Sequence, residues 1–318
     1  MEPRCLFCYK PLEQGEPDYH PLCSRKMFGS ATPPALPFDE NHCEKLASGM
    51  ITRQVTVTGV QSKLCLDPIP EERVCKKQRF SIDGLRAWYI LKPPSLKFPQ
   101  LPEIEDLTMH MAEAARIAAV PHCLIRMQSG SLAYLTRRID RLKTGKRHME
   151  DMCQITGYLT ENKYRGSYEQ VAKTIRRYSA NPGLDVINFF DVVLFCFLTG
   201  NADMHLKNFS LIEIPEKGGF NLAPAYDLLS TALVMPADKE DLALALNGKK
   251  RRITIKDFRT ALDVSSVDKV VQERMFTKFR NVMPIWEKLV ESSFLDKTMQ
   301  DRYKELIKEK YRQIRLVS

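Results

Sequence analysis

The chain has 318 residues, 44% of them apolar, and a formal net charge of +9. At about 100–200 residues per domain, that is one large domain or two lobes with cores of their own. A membrane span and a signal peptide are not expected: the apolar stretch from Phe189 to Leu198 carries Asp191 and is shorter than the ~20 residues of a spanning helix, and Pro3, Arg4 and a Cys-x-x-Cys stand where a signal peptide has its apolar core.

Residues 1–40 read as a unit apart, carrying CLFCYK and YHPLC and ending in the Pro-rich linker TPPALPF. Cys5-x-x-Cys8 and His20-x-x-Cys23 repeat the spacing of two zinc knuckles, and four such ligands suit tetrahedral Zn²⁺. A segment this short buries little core, so a metal is a plausible staple for a zinc-ribbon-like fold. His42 or Cys43 could replace one ligand; otherwise Cys5 and Cys8 are free thiols and His20 a surface residue. The nine cysteines cannot all pair, and Cys65, Cys123, Cys153 and Cys196 sit singly in apolar surroundings, the usage of a reducing cytoplasm.

Residues 41–148 predict a small sheet-rich lobe. QVTVTGVQSKLCL alternates and is β-branched, which predicts a hairpin turning at Gly59. AWYILKP is a strand stopped by Pro93 and Pro94. EDLTMHMAEAARIAAV places Leu107, Met111, Ala114, Ala115 and Ala118 at helical spacing, and SLAYLTRRI is a further strand. Residues 149–318 predict a larger helical lobe. SYEQVAKTIRRY and DVINFFDVVLFCFLTG are helices, FSLIEI and GFNLA a hairpin turning at Lys217, Gly218 and Gly219, and only helices follow residue 256. The fold class expected is therefore α+β, a bilobal protein-kinase-like fold preceded by the zinc-binding segment.

Chemistry concentrates in three places. In GNADMHLKNFSL, Asp203 lies five residues before Asn208, the spacing at which kinases set a carboxylate that accepts the attacking hydroxyl's proton and an amide that holds metal. The plain alternative is a polar turn at a helix end. In APAYDLLST, Asp227 follows the hairpin, where a kinase carries the acid that holds Mg²⁺; alternatively it caps a helix starting at Leu228. In VTVTGVQSK and ILKP, a turn at Gly59 with Lys63 could cover phosphates and Lys92 on its strand could pair with them, although neither a Walker A sequence nor G-x-G-x-x-G is present. Solvated lysines are the plain alternative.

In this order the segments TVTGVQSKL, WYILKP, LTRRIDR, EDMCQITG, KYRGSYEQV, LTGNADMHLKNFSL, LAPAYDLLST and LALALNGKKRRITIKDF resemble the HipA-like Ser/Thr kinase family, the toxins of HipA/HipB-type modules. The resemblance implies that Asp203 is the catalytic base and that Asn208 and Asp227 hold magnesium. It places His205 and Tyr226 at the nucleotide, Lys63 and Lys92 on the phosphates, and the backbone of Arg137–Ile139 at the adenine as a hinge. ATP and Mg²⁺ are the implied cofactors. A cytoplasmic protein, an aminoacyl-tRNA synthetase in some members, is the implied substrate, and a HipB-like antitoxin the implied partner.

Three departures stand out. Thr56 and Thr58 occupy the positions where the family autophosphorylates serine. Arg137 and Ile139 replace an acid and an aromatic at the hinge. Only about 50 residues precede the covering loop, so the chain looks like a short form whose N-terminal subdomain is a separate small protein or missing. The readings left open are a zinc-containing basic nucleic-acid-binding protein, suggested by the net charge and the tail KELIKEKYRQIR but without an aromatic stacking platform beside it, and a small-molecule phosphotransferase. Direct nucleic-acid binding is not required by the kinase reading.

Overall fold

The computed structural model describes residues 3–51, 63–70, 78–82, 87–95 and 97–316. The chain divides into two compact units, Met1–Asp106 with Val120–Arg141 and Ser292–Phe294, and Leu107–Ala119 with Leu142–Glu291 and Leu295–Ser318.

The first unit contains α1 (Pro21–Phe28), α2 (Glu40–Ile51), β1 (Leu64–Pro70), β2 (Gln78–Ile82), β3 (Tyr89–Lys92), the start of α3 (Leu101–Ala114), β4 (His122–Arg126) and β5 (Leu132–Arg137). Its strands form one sheet in the order β2-β1-β3-β5-β4, antiparallel throughout. The register sets Tyr89 opposite Arg137 and Lys92 opposite Tyr134.

Alternation sends Leu64 and Leu66 of β1 and Tyr89 and Leu91 of β3 into the core, where Cys5, Leu6, Tyr19, Met27 and Phe28 also lie. Edge-to-face contacts join Tyr19 to Phe28 at 5.5 Å and Phe80 to Tyr89 at 5.3 Å. The N–H of Leu124 donates to the carbonyl of Leu6 at 3.0 Å. The N-terminal segment therefore does not stand apart as its cysteine spacing suggested; its few apolar side chains are buried because the sheet supplies the rest of the core.

The helix expected over residues 105–120 begins earlier, at Leu101, and stops at Ala114, just before Arg116 takes a left-handed φ of 58°. The strands AWYILKP and SLAYLTRRI appear as β3 and β5, whereas β4 lies where no strand was expected.

The second unit holds the rest of α3, then β6 (Arg141–Leu142, its first residue in the first unit), β7 (Gly145–Lys146), β8 (Met149–Asp151), α4 (Met152–Thr156), α5 (Tyr168–Tyr178), α6 (Pro182–Thr199), β9 (Ser210–Ile214), β10 (Gly219–Leu222), α7 (Thr231–Val234), α8 (Ile255–Val264), α9 (Lys269–Ser292) and α10 (Lys297–Gln313). A capping box between Ser167 and Gln170 starts α5, and Tyr168, Val171, Ala172 and Ile175 bury one face of it. The expected hairpin is β9–β10, with Ile214 opposite Gly219, and β8 adds a third strand.

Helix α6 corrects the reading of its apolar run. With 18 residues it is long and apolar enough to cross a membrane, yet 67% of it is buried inside the protein. Phe189, Phe190, Phe195 and Phe197 fill the core of the second unit, so the hydrophobicity serves packing. Pro182 starts this helix and Gly200 ends it at φ 68°.

Candidate active site

The loop leaving α6 is fixed by its own backbone. A Cβ on Gly200 would stand 2.9 Å from Cβ of Ala232 and 2.9 Å from Cδ2 of Leu306, so both the left-handed φ and the close approach require glycine. Asn201 accepts from the N–H of Asp203 through Oδ1 at 3.0 Å, and the N–H of Ala202 donates to the hydroxyl of Thr231 at 2.8 Å. Asn208 donates through Nδ2 to the carbonyl of Asp203 at 3.0 Å. Only the amide nitrogen can donate to a carbonyl, so that bond fixes Oδ1 of Asn208 as the atom left for a cation. Asp203 and Asn208 are thus brought together on one turn, and the side chain of Asp203 keeps 49% of its exposure.

Tyr164, which sequence reasoning missed, donates from its phenol to Oδ1 of Asp203 at 2.5 Å. Its ring meets His205 edge to face at 5.0 Å, and Lys163 lies 5.0 Å from the ring centroid. Burial, with Asp203 next, raises the Tyr164 phenol above the usual range. His205 is pushed down to about 4, first by burial, with Asp203 offsetting part of the fall and Lys163 adding to it. The 4.0 Å approach of His205 Nε2 to Asp203 therefore joins a neutral imidazole to a carboxylate near pH 7 and is no ion pair. Beside Asp203 opens a cleft of about 290 Å³ lined by Tyr164, Met235, Asp238, Glu240 and Lys250.

Asp227 does not cap a helix at Leu228. The next helix, α7, starts at Thr231 with Ser230 in the N-cap position, and Asp227 itself has φ 55°. A non-glycine residue in this left-handed region is uncommon and is held there by its surroundings; Asp and Asn tolerate it best. Tyr226 bonds the Ser210 hydroxyl at 2.5 Å and the Lys207 carbonyl at 3.2 Å, so it is anchored to the end of the loop that leaves α6. Lys207 in turn pairs with Asp151, the cap of α4, at 2.8 Å.

In the first unit, Lys92 makes a buried ion pair with Glu105 of α3, with side chains 5% and 1% exposed, and lies 5.3 Å from the centroid of Tyr134. Glu105 was also missed by sequence reasoning; a glutamate in the helix after a Lys-bearing strand was the available signal. Such a strand-lysine to helix-glutamate pair is a working part of protein kinases. Lys63 is exposed just before β1. Arg137, half-buried, ends β5, and Ile139 lies in the turn that follows. The N–H groups of Arg137 and Arg138 are already spent on the carbonyls of Pro121 and Trp88, at 2.8 Å each. A backbone hinge for adenine is therefore left with Ile139 and the carbonyl groups. Thr56, Thr58 and Gly59 lie outside the described residues.

Cys5, Cys8, His20 and Cys23 converge, with ligand atoms within 4.8 Å of one another. His20 bonds the Pro11 carbonyl through Nε2 at 2.9 Å, which places the proton there and turns the lone pair of Nδ1 toward Cys8 Sγ at 3.4 Å and Cys23 Sγ at 3.7 Å. Three thiols and one imidazole nitrogen fit Zn²⁺. The alternative ligands do not join them: neither His42, which bonds Asp39, nor Cys43 belongs to the group whose ligand atoms converge. All eight cysteines among the described residues are free. For Mg²⁺, carboxylate and amide oxygens at Asp227 and Asn208 are suitable hard donors.

Residues 55–289 match the HipA-like C-terminal domain. The chain is 33% identical over 195 residues to the Sinorhizobium fredii protein named "Putative kinase Y4mE", covering 58% of this chain and 44% of that one. It is 30% identical over 214 residues to the serine/threonine-protein kinase toxin HipA of Shewanella oneidensis, covering 61% and 47%. The matched stretches thus span less than half of these two relatives. Among solved structures, HipA in a complex with HipB and operator DNA from Shewanella oneidensis has a TM-score of 0.66 at 21% identity, covering 82% of this chain and 65% of that one. The Helicobacter pylori proinflammatory kinase CtkA has a TM-score of 0.52 at 15% identity, covering 79% and 93%. The mixed α/β fold is shared with both.

Proposed function

This chain belongs to the family of the HipA-like C-terminal domain, and from that membership we propose that it is a Ser/Thr protein kinase using ATP and Mg²⁺. The observation that carries the reading is the turn on which Asn208 Nδ2 holds the carbonyl of Asp203 while the Asp203 carboxylate, bonded by Tyr164 at Oδ1, keeps 49% of its exposure. In this reading the acceptor hydroxyl attacks the γ-phosphorus of ATP, its proton passes to Asp203, and the bond from the γ-phosphorus to the bridging oxygen of ADP breaks. Asn208 and Asp227 would hold Mg²⁺, which would supply charge neutralisation at the phosphates. Lys92, held by Glu105, and Lys63 take the phosphates. His205 and Tyr226 line the nucleotide site, and Arg137–Ile139 serves the adenine. A neutral His205 can donate or accept a hydrogen bond without adding charge beside Asp203.

The substrate is a cytoplasmic protein, an aminoacyl-tRNA synthetase by family resemblance, with autophosphorylation at Thr56 or Thr58. A HipB-like antitoxin and a separate small N-subdomain-like protein are the proposed partners. The free thiols support a reducing cytoplasmic setting. The Cys5, Cys8, His20 and Cys23 cluster takes a structural Zn²⁺ with no catalytic position left open. The test is transfer of labelled γ-phosphate from Mg-ATP into proteins of a bacterial lysate, with the labelled residue mapped by mass spectrometry. Label on Ser or Thr is expected. Label confined to a small molecule would move the reading to a small-molecule phosphotransferase.

A further inference from the structure

We infer that the N-terminal metal site sets the Lys92–Glu105 ion pair, because its two knuckles anchor the two elements that carry the pair. The first knuckle is the tight turn in which the N–H of Cys5 donates to Lys10 and the N–H of Tyr9 to Cys5, both at 2.9 Å. It forces Tyr9, next to the ligand Cys8, into a left-handed φ of 62°. From there the buried Tyr9 phenol donates to Oδ2 of Asp106 at 2.8 Å, and its ring packs edge to face on Phe294 at 5.2 Å. Asp106 is fully buried, takes a second bond from His122 Nδ1 at 2.7 Å, and immediately follows Glu105 in α3. Holding Asp106 fixes the rotation of this turn and with it the direction of Glu105.

The second knuckle, His20 with Cys23, lies at the start of α1. The last turn of α1 offers the carbonyl of Met27 to the Tyr89 hydroxyl at 3.0 Å, and Tyr89 opens β3, the strand that ends in Lys92. A metal ion shared by Cys5, Cys8, His20 and Cys23 therefore ties the arm reaching the Glu105 turn to the arm reaching the Lys92 strand. Without it the two arms are joined by the Leu6 N–H to the Asp18 carbonyl at 2.8 Å and by His20 to the Pro11 carbonyl at 2.9 Å, and the four ligand side chains themselves are no longer tied to one another. Tyr9 acts through Asp106 and is a positioning residue. The consequence for nucleotide rests on the kinase reading; the coupling itself lies within the first unit and does not.

The experiment follows Lys92 itself. Protein purified without added metal is assayed for zinc. Acetic-anhydride labelling of Lys92 and amide hydrogen exchange in residues 101–106 are then compared before and after zinc is stripped with a chelator, and in Tyr9→Phe and Cys8→Ser. One zinc per chain is expected. Stripping it, or Cys8→Ser, should raise labelling of Lys92 and exchange in 101–106 by roughly tenfold, the scale of one lost hydrogen bond to a buried charge. Labelling of Lys217 in the second unit should not change. Tyr9→Phe should keep its zinc and still raise Lys92 labelling, which decides the matter if the stripped protein unfolds. Zinc-free protein, or equal Lys92 labelling in wild type and Tyr9→Phe, overturns the inference. A fluorescent ATP analogue added to the same samples separates the two readings: Lys92 responding as expected in a protein that binds no nucleotide supports the coupling and removes the kinase assignment alone.

Discussion

The Tyr164 phenol donates to Oδ1 of Asp203 at 2.5 Å, and on the kinase reading an acceptor hydroxyl donates to the same carboxylate. The two residues also line the same cleft. A hydroxyl entering the site must displace the phenol or share the carboxylate with it. One hydrogen bond to a charged group is worth about 1.5–3 kcal/mol net, less where water can replace it. We predict that Tyr164→Phe raises kcat/KM for the protein acceptor by about three- to tenfold, chiefly through KM, at a cost in stability of no more than about 1 kcal/mol. A fall in kcat with unchanged KM would show that the phenol orients Asp203 instead.

Gly200 carries a prediction about folding. Its φ of 68° costs any L side chain, and a new Cβ would press on Ala232 and Leu306 at 2.9 Å. Gly200→Ala should destabilise the protein by about 1–3 kcal/mol, read as a lower midpoint in urea unfolding with unchanged slope. An unchanged midpoint would mean that α7 and α10 yield without strain.

His205 predicts a pH dependence. Its folded pKa of about 4 lies below the ordinary value of 6.5. Between these values the unfolded chain binds more protons than the folded one, so stability rises with pH across that window and is fully present above it. At ~1.4 kcal/mol per unit the contribution is up to about 3 kcal/mol. Glu103, pushed up to about 7 by burial, acts with the opposite sign over an overlapping range. The prediction is therefore placed on the difference between wild type and His205→Gln: it should shrink as pH falls from 6.5 to 4. A difference independent of pH would show that His205 is not held neutral.

How much of this was legible beforehand depended on distance along the chain. Asp203 and Asn208 sit on one turn, so their five-residue spacing translated directly into the hydrogen bond between them. The apolar periodicity of α5 and the alternation of β3 and β5 were equally local. The backbone of Asp227 was not legible: a residue before Leu-Leu-Ser-Thr reads as a cap, and only the structure shows the left-handed φ and the helix start after Ser230. Glu105 and Tyr164 escaped because their partners lie 13 and 39 residues away, and no periodicity marks them. The convergence of Cys5, Cys8, His20 and Cys23 was readable as two equal spacings. Tyr9 reaching Asp106, 97 residues on, was not, since it depends on the knuckle turning its phenol toward α3.

Lys92 and Glu105 give a further prediction. With both side chains almost without water, removing one partner strands a buried charge. Glu105→Gln keeps the shape and removes the counter-charge. It should weaken nucleotide binding by about tenfold and lower stability by about 3 kcal/mol. Wild-type nucleotide affinity in this variant would make the pair purely structural.

The most direct measurement compares phosphoryl transfer from γ-labelled Mg-ATP by wild type and by Asp203→Asn at equal folded concentration, with circular dichroism and thermal midpoint recorded on the same samples. Asn keeps the size of the side chain and can still accept from Tyr164, but cannot take the proton of the acceptor hydroxyl. An unchanged spectrum and midpoint with transfer reduced by at least about 10³ are expected. Transfer within a few-fold of wild type from a folded Asp203→Asn protein would contradict the role of Asp203 as the base.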